Sequence, residues 1–418
     1  MNKSGFAKTL NNDIEQLKQK TSTKKKNNII TKSKEYITEN YDIRYDIISL
    51  KYEWKRKAED IYREFNENDL FCELQECGYE INHTKLLAII NSSWIKQHNP
   101  FKDYFKNLRE WDNKTDHIEK LAAYLDVEDK EYFIKHFKKW IVRVVACALI
   151  PAYFNKQMLL FVGEQNNGKT SLQRFLCPNS LSKYLSEDLI QGKDELITLT
   201  QSFLILMDEL SKLDKSGIEH VKQLMTKTSV NFRPPYGRAN KTFFRYSSFM
   251  GNTNKAEFLK DETGSVRFLC FSLKQIDFKY SQVINMDDLY SQAYSLYENG
   301  FQYEVTKEEA IEIQKYNMRF QVLTTEQELI SKYFEPATKI ELESEFLTPT
   351  EIAEKLSICT TIKVSPSKIG SGLKFLGFTR SAERKPNSSI PVYGYRIKKT
   401  IEFKKKLDAG YGVLHHTE

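Results

Sequence analysis

Gly163-Glu164-Gln165-Asn166-Asn167-Gly168-Lys169-Thr170 stands between an apolar run, Met158-Leu159-Leu160-Phe161-Val162, and a segment of helical periodicity that ends before Pro178. Buried strand, glycine-bounded loop, Lys-Thr and helix is the succession that a phosphate-binding loop requires. Glycines let the backbone curl so that successive N–H groups point inward at a polyphosphate, beside a helix N-terminus of partial positive charge. On this reading Gly163, Glu164, Gln165, Asn166, Asn167, Gly168, Lys169, Thr170 and Ser171 form a nucleotide site. Lys169 reaches the β- and γ-phosphates of ATP, and the Thr170 hydroxyl ligates Mg²⁺. A Gly/Asn-rich surface turn is the competing reading, and the flanking strand and helix argue against it.

A second apolar run, Phe203-Leu204-Ile205-Leu206-Met207, ends in Asp208-Glu209. Continuous apolarity marks a strand buried on both faces. Its two carboxylates then fall at the C-terminal edge of the sheet, beside the phosphates. Asp208 completes the Mg²⁺ shell, and Glu209 polarises the attacking water. A third run, residues 246–251, leads into Asn252-Thr253-Asn254. The Asn254 amide is placed to bond a γ-phosphate or the lytic water, an ordinary turn asparagine being the alternative. Arg267 opens a fourth apolar strand. Residues 231–245 read as a basic, aromatic hairpin, in which Arg233, Tyr236, Arg238 and Lys241 suit a nucleic-acid backbone.

With 40% hydrophobic and 28% charged residues, the chain has the make-up of a soluble globular protein. Its 418 residues allow two or three domains. No apolar run is long enough for a membrane span, and the Lys-rich N-terminus lacks the apolar stretch of a secretory signal. Six scattered cysteines without a C-x-x-C pair fit reduced thiols in a cytoplasmic protein. The net charge of +7 permits a polyanionic partner such as DNA.

Residues 1–40, polar and Lys-rich, read as a flexible basic arm with a transient helix near residues 13–20. Residues 41–149 read as a small hairpin and a helical domain; residues 131–150 place Phe133, Phe137, Trp140, Ile141, Val144 and Val145 on one side of a long helix. Pro100 marks another helix start. The phosphate-loop core spans residues 150–280, a helical connector 281–339, a winged-helix-like domain 340–402 and a tail 403–418. In the winged-helix-like segment, Thr348-Pro349-Thr350-Glu351 opens one helix, and Ser365-Pro366 opens a second that stops at Gly377. Ile369, Leu373 and Leu376 face inward, leaving Lys368 and Lys374 on the side that would meet a major groove. Residues 383–389 have the composition of an exposed basic wing.

These residues together resemble the superfamily 3 helicase-like ATPases and, more narrowly, the virulence-associated protein E family of mobile elements, phages and plasmids. The narrower likeness rests on Asn99-Pro100-Phe101-Lys102-Asp103-Tyr104 with Trp111-Asp112, on Arg233-Pro234-Pro235-Tyr236-Gly237-Arg238, and on Asn254 followed by Asp261-Glu262-Thr263-Gly264-Ser265-Val266-Arg267-Phe268. It covers roughly residues 98–320. The resemblance implies an α/β P-loop NTPase core, three-layered and AAA+-like, between an N-terminal helical domain and a C-terminal winged-helix-like domain. It implies a Mg²⁺-dependent, DNA-stimulated ATPase acting as an oligomeric helicase, a hexamer, in replication of an element. Arg267 would serve as an arginine finger in the neighbouring subunit's pocket. The family often carries two adjacent arginines at this point; Val266 replaces the first, so Arg267 serves alone. No priming domain is visible, so a primase partner, if there is one, is encoded elsewhere. A nucleotide-switched DNA-binding initiator and a defence-type ATPase that senses nucleic acid would use the same pocket, and both stay open.

Overall fold

The computed structural model describes residues 28–187, 189, 192–234, 239–259, 265–360, 362–384 and 390–406. The chain divides into two compact units, Met1–Asn254 with Arg267–Glu309 and Lys255–Val266 with Ala310–Glu418. No helix among the described residues is long and apolar enough to cross a membrane.

The first unit begins with helix α1 (Ile29–Asn40), whose N-terminus is capped by the Asn28 side chain accepting from the Ile30 amide at 3.0 Å. Strands β1 (Tyr41–Asp46) and β2 (Lys51–Arg56) pair as the expected hairpin. With β3 (Arg63–Glu64) and β4 (Lys96–His98) they form a sheet of order β3-β2-β1-β4. Helices α2 (Glu67–Glu76) and α3 (His83–Ile90) bring Leu70, Leu74, Leu86 and Ile90 to the core of this lobe. Ile37 of α1 lies in the same core. The arm expected up to residue 40 is therefore helical from residue 29, because Ser33 and Ile37 are buried there. The helix expected near residues 13–20 lies outside the described residues.

Two further helices follow, α4 (Pro100–Asn107), with Pro at its first position behind the Asn99 cap, and α5 (His117–Ala123). Next come β5 (Leu125–Val127) and the long α6 (Lys130–Leu149), close to its expected bounds. The central sheet is then built from β6 (Met158–Val162), β7 (Leu185–Glu187), β8 (Leu204–Met207) and, after a separate antiparallel pair β9 (Ser229–Phe232) and β10 (Lys241–Phe244), β11 (Ser248–Thr253) and β12 (Phe268–Ile276). Its order is β5-β12-β6-β11-β8-β7, parallel throughout except for β5. This is an α/β fold. Every residue of β6 and β11 is buried, so the sheet must be covered on both faces.

Helix α6 supplies part of that cover. Phe133 meets Phe271 of β12 edge-on at 4.9 Å and tilts against Phe161 of β6. Trp140 Nε1 donates to the Gln157 carbonyl at 3.1 Å. Arg143, 1% exposed, donates from Nε to Asn155 Oδ1 at 3.1 Å. Its two terminal nitrogens donate to the Tyr303 carbonyl and to Gln157 Oε1, each at 2.6 Å. Burial pushes this guanidinium down to about 10, which leaves it charged at neutral pH. Helix α7 (Lys169–Phe175) follows β6, α8 (Lys193–Gln201) precedes β8, and α9 (Lys215–Thr226) precedes β9. Helix α10 (Met286–Glu298) packs on α6, and its Tyr290 hydroxyl donates to the Leu176 carbonyl. Residues 281–309 thus belong to the first unit; the expected connector 281–339 is divided between the units because its two halves fill different cores.

In the second unit, α11 (Thr325–Tyr333), β13 (Phe334–Pro336), β14 (Glu345–Leu347), α12 (Pro349–Cys359), α13 (Pro366–Phe375), β15 (Arg380–Glu383) and β16 (Val392–Lys399) follow one another. Thr348 and Glu351 form a reciprocal capping box on α12. Ile330, Ile352, Leu356, Ile369, Leu373 and Ile397 make one core. Gly372 lets α13 approach α11, since a Cβ there would stand 3.0 Å from Ile330 Cδ1. Core membership extends this domain back to α11, upstream of the boundary expected at residue 340. Residues 385–389 of the expected wing and residues 407–418 of the tail lie outside the described residues.

One test follows from the packing of α6. Arg143→Met leaves buried acceptors without their donor, at roughly 1–3 kcal/mol for each. Urea unfolding followed by tryptophan fluorescence should show a loss of at least about 2 kcal/mol. A midpoint equal to wild type would mean that this network does not hold helix to sheet.

Candidate functional site

The loop between β6 and α7 is shaped by what its glycines leave out. A Cβ on Gly163 would run into the Leu273 carbonyl oxygen of β12 and stand 2.7 Å from Asn167 Nδ2. Gly168 has φ 89°, the left-handed region where a Cβ is costly. Lys169 follows as the first residue of α7 and is only 4% exposed. Its Nζ donates to the Gly163 carbonyl at 2.9 Å, the Glu164 carbonyl at 2.6 Å and Asn167 Oδ1 at 3.0 Å. Burial pushes this ammonium below its usual pKa, against the opposing pull of the Asp208 carboxylate.

The register of the sheet brings the other groups to the same edge. Thr253 of β11 lies opposite Val162 of β6, and Met207 of β8 lies opposite Gly251. Asp208 and Glu209 therefore leave their strand beside the loop. Thr170 Oγ1 donates to Asp208 Oδ1 at 3.3 Å. Asn254 Nδ2 donates to Glu209 Oε1 at 3.2 Å, and Lys212 forms an ion pair with the same carboxylate. Glu209 has φ 49°, a conformation uncommon for a residue with a side chain. A cleft of ≈ 410 Å³ runs over residues 165–171, walled by Asp208, Glu209, Asn252, Asn254 and Phe278. Adjacent Thr and Asp oxygens fit Mg²⁺, which keeps water and substrate ligands and takes few from protein. Among the described residues there is no cluster of three or more His, Cys, Asp or Glu that would form a closed metal cage.

Three residues of this site were not singled out from the sequence. Asn252, 2% exposed, donates to Thr170 Oγ1 at 3.2 Å and to Gln173 Oε1 at 2.9 Å, and accepts from the Glu209 amide at 3.4 Å. Gln173, fully buried, donates to the Gly251 carbonyl at 2.5 Å. The signal for Asn252 was an amide inside an apolar strand, where a buried polar group needs partners. Phe278 carried none, because it falls in the turn after β12.

Other expected residues lie elsewhere. Arg267 ends a short turn before β12, and Phe268 pairs with Met158, so this arginine sits at the N-terminal edge of the sheet. The length of β6, about 16 Å at ~3.3 Å per residue, separates it from the cleft of its own chain. Arg233 and Lys241 are exposed on the β9–β10 pair, whereas Tyr236 and Arg238 lie outside the described residues, as do residues 261–264. Arg245, at the base of the same basic stretch, cannot meet a nucleic acid. It is buried and donates to the Ser247 and Asn155 carbonyls at 2.9 and 3.0 Å. Lys374 is exposed on α13, and Lys368 turns to an ion pair with Glu326 of α11 at 3.3 Å.

The family model of the virulence-associated protein E-like domain matches residues 105–322. No curated protein matches. Among solved structures, the apo C-terminal region (305–718) of NrS-1 is 11% identical at a TM-score of 0.49, covering 88% of this chain and 99% of that one. A second structure of that region, described as its A form, is 12% identical at a TM-score of 0.47, covering 88% and 98%. With more than half of its 418 residues inside the family match, the chain belongs to the virulence-associated protein E-like family.

Proposed function

We propose that this protein is a Mg²⁺-dependent, DNA-stimulated ATPase that works as an oligomeric helicase in the replication of a mobile element, plasmid or phage. The observation that carries the reading is the convergence of Lys169, Thr170, Asp208, Glu209, Asn252 and Asn254 on one cleft at the C-terminal ends of parallel strands. Such an edge, where strand order reverses, is where open α/β sheets bind ligands. The first unit is on this reading an AAA+-like P-loop core.

Its residues divide the work. Lys169 exchanges its carbonyl partners for the β- and γ-phosphates, while loop amides and the N-terminus of α7 cradle the chain of phosphates. Thr170 and Asp208 would hold Mg²⁺, whose positive charge would offset that of the triphosphate. Glu209 orients the attacking water, and Asn254 fixes that carboxylate by hydrogen bonding. Asn252 ties α7, β8 and β11 into one frame. Arg267 lies too far from its own cleft to act there, so a catalytic role places it in a neighbouring subunit, in a ring that we take to be hexameric. DNA is contacted by the β9–β10 hairpin through Arg233 and Lys241. The succession of α11, the strands β13 and β14, the helices α12 and α13 and the β15–β16 hairpin supports a winged-helix reading, with Lys374 on its groove-facing side.

Lys169→Ala should abolish ATP hydrolysis. Glu209→Gln should lower hydrolysis roughly 10²-fold or more while ATP binding is kept. Hydrolysis by Glu209→Gln at the wild-type rate would remove that carboxylate from the chemistry. On forked DNA, wild type should displace a strand with ATP; DNA-stimulated hydrolysis without displacement would instead mark a nucleotide-switched initiator.

Mixing Arg267→Ala with Lys169→Ala subunits should restore part of the activity that each lacks, since some interfaces then join an intact loop to an intact arginine. A trans arginine is worth about 10³-fold or more in rate. Co-assembled mixtures that stay inactive would refute the trans role.

Lys374→Ala in the full chain should weaken duplex binding evenly across sequences and lower the slope of log affinity against log salt by about 1. An unchanged slope would take this helix off the DNA.

A further inference from the structure

Phe278 is a large aromatic side chain left 56% exposed in the turn after β12. It is not idle surface. Its ring lies so close to the left-handed Gly168 that a Cβ on that glycine would stand 2.7 Å from two ring carbons. The same side chain walls two clefts. One is the ≈ 410 Å³ cleft over residues 165–171, and the other is a ≈ 800 Å³ cleft between residues 123–130 and residues 275–282. Both volumes lie in the range of small-molecule sites.

Sheet topology fixes which end of a ligand would meet it. In the order β12-β6-β11-β8, the loop leaves β6 with Asp208, Glu209, Asn252 and Asn254 on one flank. The turn after β12, which carries Phe278, is on the other. A triphosphate on the loop with its terminal phosphate toward Asp208 and Glu209 must extend its nucleoside the opposite way, across Gly168. We propose that Phe278 is the stacking platform for the nucleobase and that the cleft beyond it receives the nucleoside, an inference that rests on the nucleotide reading above.

The platform is preformed. The Asp277 amide donates to the Tyr124 carbonyl at 2.9 Å, and the Asp277 carboxylate accepts from the Lys279 amide at 3.0 Å. Both neighbours of Phe278 are thereby anchored. Beneath, Ile276 is buried, with Cδ1 3.5 Å from where a Gly168 Cβ would stand. A phenyl face binds any base by stacking and reads no edge; polar Asp126, Lys130, Gln275 and Gln282 line the outer cleft, where base edges and ribose hydroxyls would point.

Calorimetric titration of the full chain with Mg·ATP and, separately, Mg·tripolyphosphate tests this. Phe278→Ala should weaken ATP roughly ten- to a hundredfold and leave tripolyphosphate unchanged. Phe278→Tyr should restore ATP affinity, and Phe278→Leu should not, which separates stacking from simple apolar cover. Lys169→Ala should weaken both ligands. Equal losses for the two ligands in Phe278→Ala, or no loss for either, would overturn the platform while leaving the phosphate site standing. A wild-type protein that binds neither ligand would bring down the nucleotide reading and this inference with it.

Discussion

Strand β6 offers no face to water. Met158 to Val162 are between 0 and 5% exposed, and β6 is paired on both sides, with β11 and β12. Apolar faces above and below force layers of helix onto the sheet, and paired edges leave its ladder satisfied. Polar chemistry is thereby confined to the strand ends. At one of those ends three strands terminate side by side, and each hands over to a turn rich in polar side chains. The location of the cleft is a consequence of this burial.

What the cleft then does electrostatically depends on Lys169. Its hydrogen-bond partners are two carbonyls and an amide oxygen, all uncharged, and burial already disfavours the ammonium. A largely desolvated cation with neutral partners gains most from an arriving anion. Opposite it, Glu209 is held in a left-handed backbone conformation and tied by Asn254 and Lys212. Such conformations persist only where the surroundings fix them, and Asn252, bonded to Thr170, Gln173 and the Glu209 amide, does part of that fixing.

The loop and its strands were legible because their signals are local. Apolar run, glycine spacing and Lys-Thr lie within thirteen consecutive residues, 158–170. Asp208-Glu209 and Asn254 follow from the same logic, a buried run that ends in polar groups. Asn252 escaped because its role comes from strand register, which places it between α7 and β8, and register is not written in either strand alone. Phe278 escaped for a like reason, since only the order of strands brings the turn after β12 against Gly168. From residue 29 the N-terminal arm is helical, and its sequence hides this because only two positions, Ser33 and Ile37, are buried among polar and charged ones. Arg245 was hidden by its company, a buried cation inside a stretch where Arg233 and Lys241 are exposed. In the second unit, the capping box at Thr348 was plain, yet α11 was assigned to a linker because its partners are supplied by α12 and α13, further along the chain.

The guanidinium of Arg143 joins parts of the chain that lie far apart in sequence, for its acceptors come from residues 155, 157 and 303. Sheet, covering helix and the segment after α10 are consequently one structural block. A recombination breakpoint between residues 149 and 158 would separate the aromatic face of α6 from the strands it shields and bury amide oxygens beside no donor. Any chimaera joined inside residues 143–303 must therefore keep Arg143 together with its acceptors at residues 155, 157 and 303.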